Sequence, residues 1–348
     1  MTSKYLKEDL SILAEYLKAK DFGGSAILVT GATGLIGSLC IKAIIEFNKN
    51  NADKIKAIAL ARSPEKAASV FAYELDKGSI PNVEFIYRDI TKAVPEGIEC
   101  DYIIHTASST SSKYFMTNPV EVIDSIYTGT KQILDFGLRT GAKGIVYLSS
   151  MEVFGSVDLN ERIGEDALGY IDIHNVRSCY SEGKRLAELL CASYAAEYKL
   201  PVRTARLAQT FGAGILKSEN RVFAQFARSA VRGENIILHT KGQSCGNYCY
   251  TRDAIKALFL LLKNGENGEA YTIVNEETTR TIADMAAMVA KEFSGGKSRV
   301  VFDIPNGNAY GYAPDTKMRL SAKKINALGW RAEVGLCEMY KRMLEDLC

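Results

Sequence analysis

The sequence has little of what several binding chemistries require. Histidine occurs three times in 348 residues, at His105, His174 and His239. That is too few and too scattered for a metal centre. Lysine and arginine number 43 against 41 acidic residues, a net charge of +2. Such a balance excludes the basic footprint of a nucleic-acid binder. No window approaches the roughly 18 consecutive apolar residues that a membrane helix needs. The opening stretch MTSKYLKEDLSILAEYLKAK is charged throughout and lacks the apolar core of a secretory signal, so a cytoplasmic protein is expected. Of eight cysteines only Cys245 and Cys249 lie close together, with no second Cys/His pair to complete a zinc site. A chain of this size needs no disulfide staples, and its cysteines are expected to be reduced and mostly buried.

What is present is a rhythm. Leu6, Leu10, Leu13 and Leu17 recur at helical spacing, so the first twenty residues read as an amphipathic helix ended by Gly23-Gly24. Short apolar runs then alternate with helical stretches. Strands are expected at Ala26 to Thr30, Lys56 to Leu60, Val83 to Tyr87, Asp101 to Thr106, Gly144 to Ser149 and Pro201 to Leu207. Helices are expected at Leu35 to Phe47, Pro64 to Asp76, Pro119 to Thr140 and Tyr180 to Tyr198, with a polar loop over Ser156 to Cys179. Alternation with fully apolar strands means an α/β fold, a doubly wound parallel sheet covered by helices on both faces. Three parts are expected: a helical extension over residues 1–24, a dinucleotide-binding Rossmann domain over 25–210, and a smaller α/β substrate lobe over 211–348, with room for the chain to cross between lobes.

The turn after the first strand carries the first chemistry. Gly31, Gly34 and Gly37 stand at a 3,3 spacing within Gly31-Ala32-Thr33-Gly34-Leu35-Ile36-Gly37, between a buried strand and an apolar helix. Glycines there let a pyrophosphate approach the backbone, and the helix start offers free N–H groups and a positive dipole end. The second strand ends in Ala61-Arg62-Ser63, with no carboxylate for the ribose hydroxyls of NAD. Arg62 and Ser63 suit a 2′-phosphate, so the expected cofactor is NAD(P), with NADP(H) slightly favoured. The alternative is that Arg62 is a surface cation and either cofactor serves.

A second constellation lies near the fifth strand. Tyr180 and Lys184 stand four apart on one helix face. A phenol has a pKa of about 10, too high for a base at neutral pH, and a nearby ammonium favours the phenolate. Ser149-Ser150 ends the fifth strand, where a hydroxyl can polarise the oxygen that Tyr180 protonates or deprotonates.

On these residues the chain resembles the extended short-chain dehydrogenase/reductases of the NAD-dependent epimerase/dehydratase family. The turn from Thr30 to Gly37, Asp89 after the third strand, Ser150, the Tyr180/Lys184 pair and Leu328-Gly329-Trp330 all match. The resemblance implies that Asp89, with Ile90 beside it, reaches the adenine, and that Thr106 and Ala107 belong to the cofactor site. It implies that Lys184 also holds the nicotinamide ribose and that Gln209 and Arg221 contact substrate. It further implies a nucleotide-sugar substrate and a homodimer paired through the Pro119 and Tyr180 helices. The segment Ser149 to Gly155 and the run after Tyr180 look most like the UDP-glucuronate decarboxylases and 4,6-dehydratases, where Glu152 is a candidate second base. Its alternative role is a rim carboxylate with a structural bond. Two departures stand out. Met151 replaces the acid of the dehydratases, and Gly246 occupies the position of an arginine before Asp253, for which Lys241 and Arg252 are the candidate substitutes.

The expected function is therefore an NAD(P)-dependent nucleotide-sugar-modifying enzyme of the epimerase, dehydratase or decarboxylase type, working through a transient keto sugar. The alternatives are an NADPH-dependent reductase of a carbonyl substrate and a non-catalytic nucleotide sensor. Intact Ser150, Tyr180 and Lys184 speak against the sensor.

Overall fold

The computed structural model describes residues 3–75, 79–157, 161–305 and 317–347. In chain order the helices and strands are α1 (Lys4–Ala19), β1 (Ala26–Thr30), α2 (Leu35–Asn50), β2 (Lys56–Ala61), α3 (Pro64–Val70), β3 (Val83–Tyr87) and β4 (Tyr102–His105). Next come α4 (Ser112–Thr117), α5 (Pro119–Thr140), β5 (Gly144–Ser150), β6 (Arg162–Ile163), α6 (Ser178–Tyr198), β7 (Val202–Leu207) and β8 (Gln209–Phe211). The chain continues with α7 (Val222–Arg232), β9 (Ile236–Leu238), β10 (Cys245–Tyr250), α8 (Thr251–Asn264), β11 (Ala270–Ile273) and β12 (Asn275–Thr281). It closes with α9 (Ile282–Phe293), β13 (Val300–Phe302), β14 (Arg319–Leu320), α10 (Lys323–Ala327) and α11 (Leu336–Leu347).

Seven strands form one parallel sheet in the order β11-β7-β5-β4-β1-β2-β3. Successive side chains of a strand face opposite sides. Ile27 and Val29 accordingly enter one core with α1, α2 and α8, while Leu28 enters the other with α5 and α6. This two-sided burial is why the strands read as continuous apolar runs. The strand order reverses between β1 and β4, which opens a crevice at the carboxyl ends of the sheet.

After β10 the chain returns along α8 and adds β11 to the main sheet beside β7, pairing Ala270 with Thr204. Outside the main sheet stand a three-stranded sheet, β12-β10-β8, and two parallel pairs, β9 with β13 and β6 with β14.

Two boundaries differ from expectation. α3 ends at Val70 instead of reaching Asp76, which lies outside the described residues. Phe71 leaves the helical path to bury its ring against Phe85, 5.4 Å between centroids. The polar loop before α6 is not wholly irregular, because Arg162–Ile163 pairs with Arg319–Leu320.

The N-terminal extension is tied down by charge as well as by its leucine stripe. Asp9 and Arg252 are both buried and meet at 3.0 Å, and Asp9 also accepts from Arg342 of α11 at 3.1 Å and from the Tyr250 hydroxyl. Removing one partner of a buried ion pair leaves an uncompensated charge. Arg252→Met should therefore lower unfolding free energy by about 3 kcal/mol, read by urea denaturation. A loss no greater than that of an exposed substitution would show the pair to be dispensable.

Candidate active site

The glycine turn is built around close backbone approach. Gly31 adopts φ +63°, and a Cβ there would lie 2.9 Å from the Ala107 backbone. A Cβ on Gly37 would meet the Gly31 carbonyl oxygen at 2.4 Å, so only glycine lets α2 start this close to β1. Gly34 is the N-cap of α2 and supplies no side-chain cap, which leaves the first amides of that helix for an anion. Thr33 is buried at the turn, and Leu35 and Ile36 open the helix. Thr106 and Ala107 prove to be the turn's supports. The Thr106 hydroxyl donates to the Thr30 carbonyl at 2.7 Å, and the Ala107 N–H donates to Thr30 Oγ1 at 3.1 Å.

Beneath them lies a residue that sequence reasoning passed over. His105 is fully buried, 2.7 Å from Thr30 Oγ1 through Nδ1 and 3.3 Å from Thr130 Oγ1 through Nε2. Burial, aided by the Lys184 charge, holds its pKa down to about 3. It is a neutral strut between the phosphate turn and α5, and no ligand.

At the far end of the cofactor crevice, Arg62 is exposed after β2. Ser63 caps α3, accepting from the Lys66 N–H at 3.0 Å and donating to Glu65 at 2.7 Å. Asp89 accepts from the Thr91 amide and hydroxyl, at 2.9 and 2.7 Å. Those two bonds and nearby Arg62 keep its carboxyl below the usual range. Ile90 follows, packed against Gly129 of α5.

Ser150, Tyr180 and Lys184 converge. Tyr180 is buried in the first turns of α6, with its ring stacked on Phe115 at 4.5 Å. Burial pushes its phenol up to about 12, and the Glu152 charge pushes the same way. A hydrogen bond with Ser150 and the charges of Arg221 and Arg177 oppose that rise. Lys184 sits one turn on, donating to the Leu148 carbonyl at 2.7 Å, with its ammonium 4.7 Å from the Tyr147 ring centre and 5.8 Å from that of Tyr180. Burial drives its pKa down to about 7, with Glu188 the main opposing charge. Glu188 takes both Arg206 Nε and Nη2, at 3.1 and 2.8 Å, and the Ser149 hydroxyl, which clamps α6 to β5 and β7.

Glu152 lies on the same rim with both oxygens engaged. Arg177 Nη1 and Nη2 donate to it at 2.8 and 3.1 Å, and Ser181 Oγ at 3.1 Å. Arg177 was not expected, because its partner is 25 positions away across the polar loop. The one sequence signal was a lone arginine three residues before Tyr180. Arg221 is the residue before α7, its N-cap, and is held by Glu219, Nε at 2.9 Å and Nη2 at 2.7 Å, with the guanidinium 4.9 Å from the Phe223 ring centre. Gln209 is half-buried at the start of β8, opposite Tyr248.

The suggested substitutes for the missing arginine are placed differently. Arg252 is committed to Asp9 and Glu333, so it does not replace the arginine. Lys241 is exposed in the loop before β10. The space beside Gly246 is filled by the Tyr248 hydroxyl, 2.1 Å from where a Cβ would stand, so a longer side chain needs Tyr248 to move. Arg280, the strand partner of Gly246 on β12, is the nearest guanidinium by register.

The sign of the Lys184 shift has a measurable consequence. Its folded pKa lies below its unfolded one, so the folded state binds fewer protons between about pH 7 and pH 10. Stability therefore falls as pH drops from 10 toward 7 and levels off below. Lys184→Met should stabilise the cofactor-free protein at pH 7 by up to a few kcal/mol, with little effect at pH 10.5, while abolishing turnover. An equal effect at both pH values would mean that the lysine is not desolvated.

Residues 27–275 match the NAD dependent epimerase/dehydratase family model. The chain is 28% identical to UDP-glucuronic acid decarboxylase 3 of Arabidopsis thaliana, covering 92% of this chain and 88% of that one. Its fold superposes on UDP-glucose 4-epimerase from Thermotoga maritima, bound to UDP-glucose, with TM-score 0.75 and 22% identity over 92% and 98% of the two chains. It also superposes on dTDP-glucose 4,6-dehydratase from Bacillus anthracis, bound to NAD, with TM-score 0.74 and 18% identity over 92% and 96%. Among the described residues no helix is long and apolar enough to cross a membrane. With its parallel sheet, its uncapped glycine turn, half-buried Ser150 and buried Tyr180 and Lys184, the chain belongs to the NAD dependent epimerase/dehydratase family and is an NAD(P)-binding enzyme of the Rossmann fold.

Proposed function

We propose that this enzyme acts on a nucleotide-linked hexuronate, oxidising ring carbon 4 transiently and releasing the sugar carboxylate as carbon dioxide. The observation that carries the reading is the convergence of the Ser150 hydroxyl, the Tyr180 phenol and the buried Lys184 ammonium beside an uncapped helix start. The similarity to a decarboxylase over 92% of the chain supports the choice within the class.

The residues fit the cofactor, because the turn lacks the Cβ atoms and caps that would block a diphosphate. When bound, a nicotinamide dinucleotide supplies the hydride acceptor and then the donor. Ser150 polarises the carbon 4 oxygen, and Tyr180 takes the hydroxyl proton as that carbon is oxidised. Lys184 stabilises the phenolate. The resulting ketone stands β to the carboxylate. The bond from carbon 5 to the carboxyl carbon breaks, its electron pair moves to the ketone oxygen as an enolate, and carbon dioxide leaves. Carbon 5 then takes a proton, for which Glu152 is the nearby acid–base group. Tyr180 returns its proton as carbon 4 is reduced. The product is a pentose, and the cofactor ends as it began.

The cofactor preference is for NADP(H), supported by Arg62 and by the absence of a carboxylate at the end of β2. A homodimer through α5 and α6 is supported by apolar side chains left exposed there, Val120, Ile123, Tyr127, Leu186 and Leu189. A cytoplasmic setting accords with the seven described cysteines being free thiols. A second reading, net reduction of a carbonyl by NADPH, is favoured by Gly246, which removes a clamp from the diphosphate.

Incubation with UDP-glucuronate and trace NAD+ or NADP+ is expected to yield a product lighter by one carbon dioxide, with no net cofactor change. Tyr180→Phe should lower kcat by about 10²- to 10⁴-fold. A product of unchanged mass would make the enzyme an epimerase. Consumption of one NADPH per product would establish the reductase. Arg62→Ala should weaken NADP+ relative to NAD+ by about tenfold or more, read by titration calorimetry. Unchanged discrimination would remove Arg62 from the cofactor site.

A further inference from the structure

The rim pair described above holds a positive fork that is occupied without being locked. The Arg177 guanidinium donates through both terminal nitrogens to Glu152, while its face lies 5.7 Å from the Phe115 ring centre. Phe115 in turn stacks on Tyr180. The fork and the face therefore have separate partners, and the anion on the fork can change while Phe115 keeps the guanidinium beside Tyr180. Both members of the pair are about one third exposed, so an entering ligand can reach them. Glu152 has its own second partner, the Ser181 hydroxyl at 3.1 Å, which retains it when the arginine lets go. A planar guanidinium recognises any carboxylate in the same bidentate way.

We propose that Arg177 is the specificity-determining residue for a carboxylated sugar: the substrate carboxylate displaces Glu152 from the Arg177 fork. This rests on the nucleotide-hexuronate reading above. Carbon 4 must sit at Tyr180 for its proton to be taken, and the carboxylate on carbon 5 is then within one side-chain reach of a guanidinium three residues upstream on the same helix turn. The exchange does two things at once. It orients the carboxylate that is to leave, and it releases Glu152, still on Ser181, for proton transfer at carbon 5. A neutral hexose offers no anion, so the latch stays closed and Glu152 stays paired. Selection therefore works by ion-pair exchange, in which the protein's own carboxylate competes with the substrate's.

The test compares two ligands, UDP-glucuronate and UDP-glucose, by calorimetry on the NADP+-loaded full chain in a Tyr180→Phe background that prevents turnover. Wild-type pairing should favour the hexuronate. Arg177→Gln is expected to weaken UDP-glucuronate by about 10- to 100-fold and to leave UDP-glucose within about twofold. Arg177→Lys should restore only part of the preference, because an ammonium lacks the fork. Glu152→Gln, nearly the same size, should tighten UDP-glucuronate relative to UDP-glucose by about tenfold, since the competing charge is gone. A purely structural pair would shift both ligands together in every variant, and that result overturns the proposal. Thermal melts of each variant separate loss of fold from loss of discrimination. If UDP-glucose and UDP-glucuronate bind the parent protein equally, the exchange is wrong and the nucleotide-sugar reading stands. If neither binds, that reading fails and takes the exchange with it.

Discussion

The site depends on a cation placed where water cannot reach it. Lys184 has the Leu148 carbonyl, the faces of two tyrosine rings and, one turn along α6, the Glu188 carboxylate. An ammonium in such surroundings is costly unless something nearby gains from it. In the proposed mechanism the gain is the phenolate of Tyr180, which burial alone disfavours. Each of these two groups is poorly suited to its place by itself, and together they are complementary. The glycine turn brings a cofactor to the same point, and the Ser149–Glu188–Arg206 clamp keeps α6 from sliding out of register with β5.

Much of this was legible in the residues because the signals were local. A buried strand followed by spaced glycines and an apolar helix has few other meanings, and the structure shows why each glycine is there. Tyr180 and Lys184 were legible for the same reason, since their spacing alone puts them on one face. Thr106 and Ala107, expected at the cofactor site, have a structural contact that no local signal announced. They hold the turn through Thr30, a contact 76 and 77 positions apart in sequence.

What stayed hidden was non-local. Arg177 lies in a polar loop that looks like any solvated connection until Glu152 is folded against it. His105 gave no sign of being a strut, because its partners come from two other elements. β11 is a four-residue run after a glycine-rich turn, and nothing in it announces that the chain has returned to the first sheet. Arg252 looked available as a phosphate ligand only while its burial against Asp9 was unknown. The helix at Pro64 was overextended because propensity carries no knowledge of the Phe71 pocket.

The clasp between α1 and α11 has a consequence for synthesis. Asp9 and Arg342 meet across 333 positions of chain. Until Arg252 and then Arg342 have been made, the leucine stripe of α1 can settle on α2 while its acidic group lacks its full set of counter-charges. The clasp on α1 is therefore completed only by α11, much as a drawstring is pulled only when the bag is full.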